Sequence, residues 1–511
     1  MYRIIRLSFT FRIPRPRWLQ SCLFYLLTVW VLAAAHISPP VHAVALLSDE
    51  LELYLPWTEY RGQTYSVLMG AATGDAQEFR LDTAIARKNA APGTALAKAG
   101  EDLTIVMPLV GYRGELYHAT LTYDSGNMFQ IAHAEPVSAT EGRGTPLSVT
   151  LIETRTVNQI AEKYPIAAIA GFELRFDVAV YRVGYRTQDA LGNPVSASGV
   201  AAVPAGIPTG APLLSFQHGT ITRNDHAPSI NPEETGVDLA LYLMGARGYL
   251  VTAPDYLGFG ENAGLHPFMH AKSLAWPVID LIRAVRSLAA NSGFPLNGQL
   301  FLAGYSEGGY ATMAAQREIE THHADEFMIT ASAPMAGAYD LSGTMLQQAL
   351  SDDPLPRPMY FSYILLAYNQ IYGFDDNLAN LFNENIAATV PELFDGSNDG
   401  DTIDAALPAT GNDLFSPVLL AALENGGYHP LRAALAHNDV YRWTPTSPTR
   451  LYHCLDDDRV PYENSTVAMD YFTAAGADVR LETLFSGGHS DCAIPALLSG
   501  NAWFDSLVVL P

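Results

Sequence analysis

Two stretches of the chain carry the same pattern of apolar and polar positions. Leu51–Met69 reads LELYLPWTEYRGQTYSVLM and Leu103–Leu121 reads LTIVMPLVGYRGELYHATL. Pro56 matches Pro108, Tyr60-Arg61-Gly62 matches Tyr112-Arg113-Gly114, and Tyr65 matches Tyr117, at a constant offset of 52 residues. The strings FRLDTA and FQIAHA close the two units. Alternation on either side of an Arg-Gly turn predicts β-hairpins. One hairpin alone cannot bury enough surface, so the duplication predicts a small β domain over residues 44–165. Surface binding and mere packing are equally open as its role.

From about residue 166 the rhythm changes to short apolar runs alternating with helical periodicity, which predicts an α/β layered domain over 166–511. The predicted strands are Glu173–Tyr185, Gly199–Val203, Leu213–Gln217, Leu250–Ala253, Gln299–Ala303, Met328–Ala333, Arg450–Cys454 and Val479–Phe485. Helices are predicted at Leu274–Ala290 and Gly309–Glu320. After Leu341 the alternation breaks for about a hundred residues. Apolar runs such as MYFSYILLAYNQIYGF (Met359–Phe374) predict a helical cap over residues 341–447. At the other end of the chain, an Arg-rich stretch precedes the 13-residue apolar run Leu23–Ala35, with Val41-His42-Ala43 beyond it. This is the pattern of a secretory signal cut after Ala43, and the run is shorter than the ~20 residues a bilayer span needs. An uncleaved anchor is the alternative; no later segment reaches spanning length.

Charge narrows the partners. The 511 residues hold 29 Lys+Arg against 53 Asp+Glu, and five of those arginines lie in the first 43 positions. The remaining body repels phosphate backbones, which argues against nucleic acid. With 49% hydrophobic residues the chain can bury a large core. Nothing in the sequence addresses oligomeric state.

The chemistry starts at FLAGYSEGGYA, where Gly304-Tyr305-Ser306-Glu307-Gly308 fits G-x-S-x-G. It follows an apolar strand and opens a small-residue helix, as a nucleophile elbow requires, with glycines where strand and helix backbones approach closely. Ser306 is therefore the predicted nucleophile. A serine hydroxyl needs a base, and the base needs an orienting acid. Three consecutive aspartates, Asp456, Asp457 and Asp458, end a predicted strand, and His489 is the only histidine beyond them.

The HGT loop after Leu213–Gln217, APDYLGFG (Ala253–Gly260), GYSEGG, DDDRVP and GGH together resemble the α/β-hydrolase superfamily. Within it the chain is similar to secreted bacterial esterases of the secretory-lipase group. The resemblance covers about 166–511 and implies carboxylic-ester hydrolysis through an acyl-enzyme, without metal or organic cofactor. It also implies the order serine, acid, histidine. Cys454-Leu-Asp-Asp457-Asp-Arg-Val460-Pro461 fits the G-x-x-D-x-x-V-P pattern of related hydrolases, with Cys for Gly, so Asp457 is the implied acid and Asp456 its rival. His453 is read as a packing residue. His218-Gly219-Thr220 resembles an oxyanion loop, which makes the backbone N–H groups of Thr220 and Glu307 the implied donors.

Cys454 ends the strand carrying the acid and Cys492 lies three residues after the base. Bringing acid to base brings these loops together and predicts a Cys454–Cys492 disulfide, with Cys22 inside the signal. The expected substrate is a small-molecule or lipid ester of short- to medium-chain acyl length, bound beneath the cap aromatics. A serine peptidase of the same fold and a non-catalytic binding module are the competing readings.

Overall fold

The computed structural model describes residues 43–509 apart from 51, 61–62, 73–76, 88–96, 100–103, 138–140, 208 and 425–428. The predicted signal up to residue 42, with Cys22, and the first Arg-Gly turn lie outside the described residues.

The repeated hairpins build one closed sheet. Its strands are β1 (Ala45–Leu47), β2 (Glu52–Tyr60), β3 (Gln63–Ala71), β4 (Glu78–Ala86), β5 (Ala97–Ala99), β6 (Ile105–Tyr112), β7 (Glu115–Tyr123) and β8 (Met128–Pro136). The order is β1-β2-β3-β4-β8-β7-β6-β5, and further pairings of β1 with β6 and β2 with β5 bring its edges together. Arg113 and Gly114 both take positive φ, at 49° and 81°, as the tight turn between β6 and β7 demands. The matched prolines have a structural meaning. Register shifts fall between Leu55 and Thr58 in one hairpin and between Met107 and Val110 in the other. Pro56 and Pro108 sit in these gaps because a residue without N–H cannot serve the ladder. Each prolyl carbonyl instead meets a side chain 10 residues on, Ser66 Oγ at 3.0 Å and His118 Nδ1 at 2.5 Å. Phe79 and Phe129, from the two closing strings, pair across β4 and β8 and are buried.

The larger sheet comprises β9 (Pro146–Arg155), β10 (Val178–Gln188), β11 (Pro194–Pro204), β12 (Ala211–Gln217), β13 (Leu250–Pro254), β14 (Leu296–Tyr305), β15 (Ala331–Met335), β16 (Thr449–His453) and β17 (Val479–Thr483). Its order is β17-β16-β15-β14-β12-β13-β11-β10-β9, parallel from β13 to β17 and antiparallel at the β9 end. The expected boundary at residue 165 places Pro146–Arg155 with the hairpins. The strand instead pairs along β10 as the outer strand of the large sheet. Alternation identifies a strand but not the sheet it joins.

Alternate residues of β14 face two cores. Leu300 and Leu302 pack with α1 (Ala271–Ser292) and α2 (Glu307–His322). Phe301 and Ala303 pack on the other side, where Phe301 meets Phe504, near the end of the C-terminal helix His489–Asp505. Between β15 and β16 the chain forms a run of helices, including α3 (Pro358–Tyr372) and α4 (Pro430–His437). The C-terminal helix becomes α5. Among the described residues, no helix is long and apolar enough to cross a membrane.

The hairpin sheet is tied to this helical run. Arg87 donates to the carbonyls of Gly373 and Phe374, and the Tyr54 hydroxyl donates to Gly373. These acceptors lie just past the C-terminus of α3, where unpaired carbonyls favour a cation. Gly114 N donates to His437 Nδ1 at 3.0 Å. Truncating the buried Arg87 to Ala should destabilise the fold by about 2–3 kcal/mol, since charged hydrogen bonds to buried carbonyls are lost. A denaturant midpoint unchanged from wild type would show that this tie contributes nothing.

Candidate active site

Ser306 connects β14 to α2 with φ 63° and ψ −122°, a conformation costly for any residue but glycine. The turn is that tight because β14 and α2 nearly touch. A Cβ on Gly304 would press on the backbone of Gly308 in α2, and one on Gly309 would press on that of Met335 in β15. The strain lifts Ser306 above the carboxyl ends of the parallel strands, where open α/β sheets collect functional groups.

Three further loops converge there from β12, β16 and β17. His489, the first residue of α5, places Nε2 2.8 Å from Ser306 Oγ. Its Nδ1 lies 2.7 Å from Asp457 Oδ2. A carboxylate can only accept, so Nδ1 carries the proton and Nε2 is left to accept from the serine. Of the three aspartates, Asp457 is the one whose carboxyl meets the His489 imidazole. Asp456 instead accepts from the Ser486 hydroxyl, and Asp458 accepts from the backbone N–H of His489 at 2.7 Å.

Asp457 has a full set of donors. Its Oδ1 accepts from Arg459 N at 3.0 Å and Val460 N at 2.9 Å. Its Oδ2 also meets His453 Nε2 at 3.1 Å, and His453 is fixed in turn by the Ser465 hydroxyl at 2.7 Å. Burial alone would push the carboxyl up. Hydrogen bonds from His453 and His489, the nearby charge of His489 and the Val460 N–H outweigh it, holding Asp457 well below the usual carboxylate range. His453, read from sequence as packing, is thus a second histidine on the acid. The signal was available in its spacing, four residues before Asp457 at a strand end.

A Cβ on Gly219 would lie 3.8 Å from Ser306 Cβ, so His218-Gly219-Thr220 runs beside the serine. Glu307, next in the chain, is buried, and its carboxyl lies 2.7 Å from His266 Nε2. Sequence reasoning missed His266. Cys454 and Cys492 form a disulfide with Cα atoms 6.2 Å apart, linking the end of β16 to α5. Among the described residues, no three His, Cys, Asp or Glu side chains are grouped to hold a metal ion.

The aromatics of α3 divide. Tyr368 donates to Met269 O and Tyr372 accepts from Asn438 Nδ2, both fully buried. Tyr363 stacks on Phe268 and approaches His266. Phe361, Ile364 and Leu365 help line an apolar cavity of about 40 Å³ with Leu341 and Met345.

The family model for secretory lipases matches residues 229–505. The solved structure of LipA, a rice cell wall degrading esterase from Xanthomonas oryzae, is 30% identical with a TM-score of 0.63, covering 71% of this chain and 96% of that one. Candida antarctica lipase A in its closed state, at 18% identity and TM-score 0.56 over 72% of this chain and 84% of that one, shares the fold. The probable trichothecene esterase SAT6 of Stachybotrys chartarum is 25% identical over 341 residues. That match spans 61% of this chain and 65% of the relative.

Proposed function

The chain belongs to the secretory lipase family, and from that premise we propose that it is an exported serine hydrolase cleaving carboxylic esters through an acyl-enzyme. The observation that carries the reading is the unbroken hydrogen-bond chain Ser306–His489–Asp457, at 2.8 and 2.7 Å. His489 takes the hydroxyl proton as Ser306 attacks the ester carbonyl carbon. Asp457 holds the imidazole in the tautomer that can accept, and stabilises the imidazolium that forms. The N–H groups of Thr220 and Glu307 receive the developing oxyanion. Collapse expels the alcohol, protonated by His489, and water repeats the sequence on the acyl-enzyme. No step requires a metal or organic cofactor. Export is supported by the leader pattern of residues 1–43 and by the disulfide.

The helical run 341–437 acts as the cap, and its apolar lining takes the acyl chain, where each buried methylene contributes about 0.8 kcal/mol. With p-nitrophenyl esters from acetyl to palmitoyl, kcat/KM should rise from acetyl to medium chains and fall at the longest. Equal rates on acetyl and octanoyl esters would remove the acyl pocket, and faster cleavage of prolyl amides would favour the peptidase reading. The binding-module reading requires that no ester be turned over.

Activity should fall in mild acid. Because the folded Asp457 carboxyl is held below its unfolded value, its stabilising contribution is complete above about pH 4 and is lost only in stronger acid. Between about pH 8 and about pH 5, therefore, a fall in kcat/KM comes without loss of fold from Asp457, and its chemical reason is that an imidazolium cannot accept the serine proton. A flat profile across that range, with circular dichroism unchanged, would contradict a histidine base.

A further inference from the structure

We propose that His266 is a positioning residue for the two amides that receive the oxyanion, an inference resting on the roles given above to Ser306, Thr220 and Glu307. Glu307 opens α2, directly after the nucleophile, so a contact that anchors its side chain also holds the backbone that carries its N–H. That side chain is 1% exposed, and a buried carboxyl without a partner is costly. Its partner is His266, whose other nitrogen, Nδ1, lies 2.6 Å from the carbonyl of Leu257. A carbonyl only accepts, so Nδ1 carries a proton, and one further proton lies between Nε2 and the Glu307 carboxyl. His266 is held at both ends.

The second end leads to the other donor. Leu257 follows Tyr256, a residue at φ 68° whose ring lies 4.2 Å from that of His218. The Tyr256 hydroxyl donates to His218 O at 3.2 Å. His218 immediately precedes Gly219-Thr220. A continuous series of contacts, Glu307 to His266 to Leu257-Tyr256 to His218, therefore joins the two segments that carry the donors. Gly258 keeps this loop tight, because a Cβ there would lie 2.5 Å from the His266 backbone. Around the imidazole stand Phe259 and Tyr363, with ring centroids at 4.9 and 5.8 Å. Phenylalanine would fill such an aromatic cage equally well. What it lacks is the pair of nitrogens.

The test compares wild type with His266→Gln, His266→Asn, His266→Phe, Glu307→Ala and the Glu307→Ala/His266→Asn double variant on p-nitrophenyl butyrate. Rates are normalised to sites titrated with a phosphonate. His266→Asn and His266→Phe should lower kcat about 10- to 100-fold, a fraction of what deleting an oxyanion donor costs, with KM within about threefold. Affinity for a trifluoromethyl ketone, which adds to Ser306 as an oxyanion, should weaken by the same factor. His266→Gln keeps an N–H where Nε2 stands and should recover most of the loss. The double variant should be no slower than Glu307→Ala alone, because both act through one contact. Glu307→Ala, which leaves His266 in place, reads the link from the other side if the histidine variants fail to fold. Unchanged kcat per titrated site and unchanged ketone affinity in the folded variants, or additive losses in the double variant, would overturn the proposal. Near-normal esterase activity in Ser306→Ala would instead overturn the reading beneath it.

Discussion

Ser306→Ala and His489→Ala should each lower kcat on a p-nitrophenyl ester by about 10⁴- to 10⁶-fold. The loss is large because the two side chains act as one unit. Without the base the serine hydroxyl stays protonated, and without the serine no acyl-enzyme forms. For the same reason the double variant should be no slower than either single one. Residual hydrolysis would come from the oxyanion donors and from binding. The fold should survive, since Ser306 Oγ makes its contact with His489 and Ala retains the same backbone strain. Ser306→Gly should go further and stabilise the protein, by about 1 kcal/mol, because glycine accepts φ 63° without penalty. Near-normal turnover by either alanine variant, with matching unfolding midpoints, would refute the assignment.

Removing the disulfide has the second largest expected effect. Cys454 and Cys492 are 38 positions apart, and closing a loop of that length is worth about 4 kcal/mol by chain entropy. The bond also joins the loop bearing Asp457 to the helix that begins with His489. Cys454→Ala/Cys492→Ala should therefore lose stability of that order and lose activity through a displaced acid. Both cysteines are fully buried, so reductant alone should leave the native enzyme active, while reductant with denaturant should prevent recovery. An unchanged denaturant midpoint for the double variant would show that the cross-link does not stabilise the fold.

Much of the larger sheet is legible in sequence because its strands are buried on both faces. Leu213–Gln217 and Leu250–Ala253 read as apolar runs and are strands in the structure. The apolar run predicts a strand over Met328–Ala333, but Met328 is exposed and the strand begins at Ala331, where pairing to Phe301 starts. Ladder partners, not local hydrophobicity, set that boundary. Closure of the hairpin sheet was invisible for a related reason. It depends on the three-residue strands β1 and β5, and elements so short leave no pattern. Leu147, Val149 and Leu151 alternate as a half-buried strand should, yet all three are exposed on the outer edge of the large sheet.

In the site, Ser306 and His489 stood out because a strained elbow needs glycines around it and no other histidine follows. For the acid, the resemblance of Cys454–Pro461 to G-x-x-D-x-x-V-P favours Asp457 over Asp456, and it is Asp457 that accepts from the N–H groups of Arg459 and Val460 and lies on the His489 imidazole. His266 had no such signature. Its contact with Glu307 spans 41 positions and is made by the docking of one loop on another.

The most direct test of the account is the site of covalent capture by a fluorophosphonate. A serine hydrolase working as described should take up one equivalent, lose esterase activity in proportion, and yield a single modified peptide with the phosphonate on Ser306. His489→Ala should label far more slowly under the same conditions. Complete inhibition with Ser306 unmodified, or full labelling elsewhere with activity retained, would contradict it.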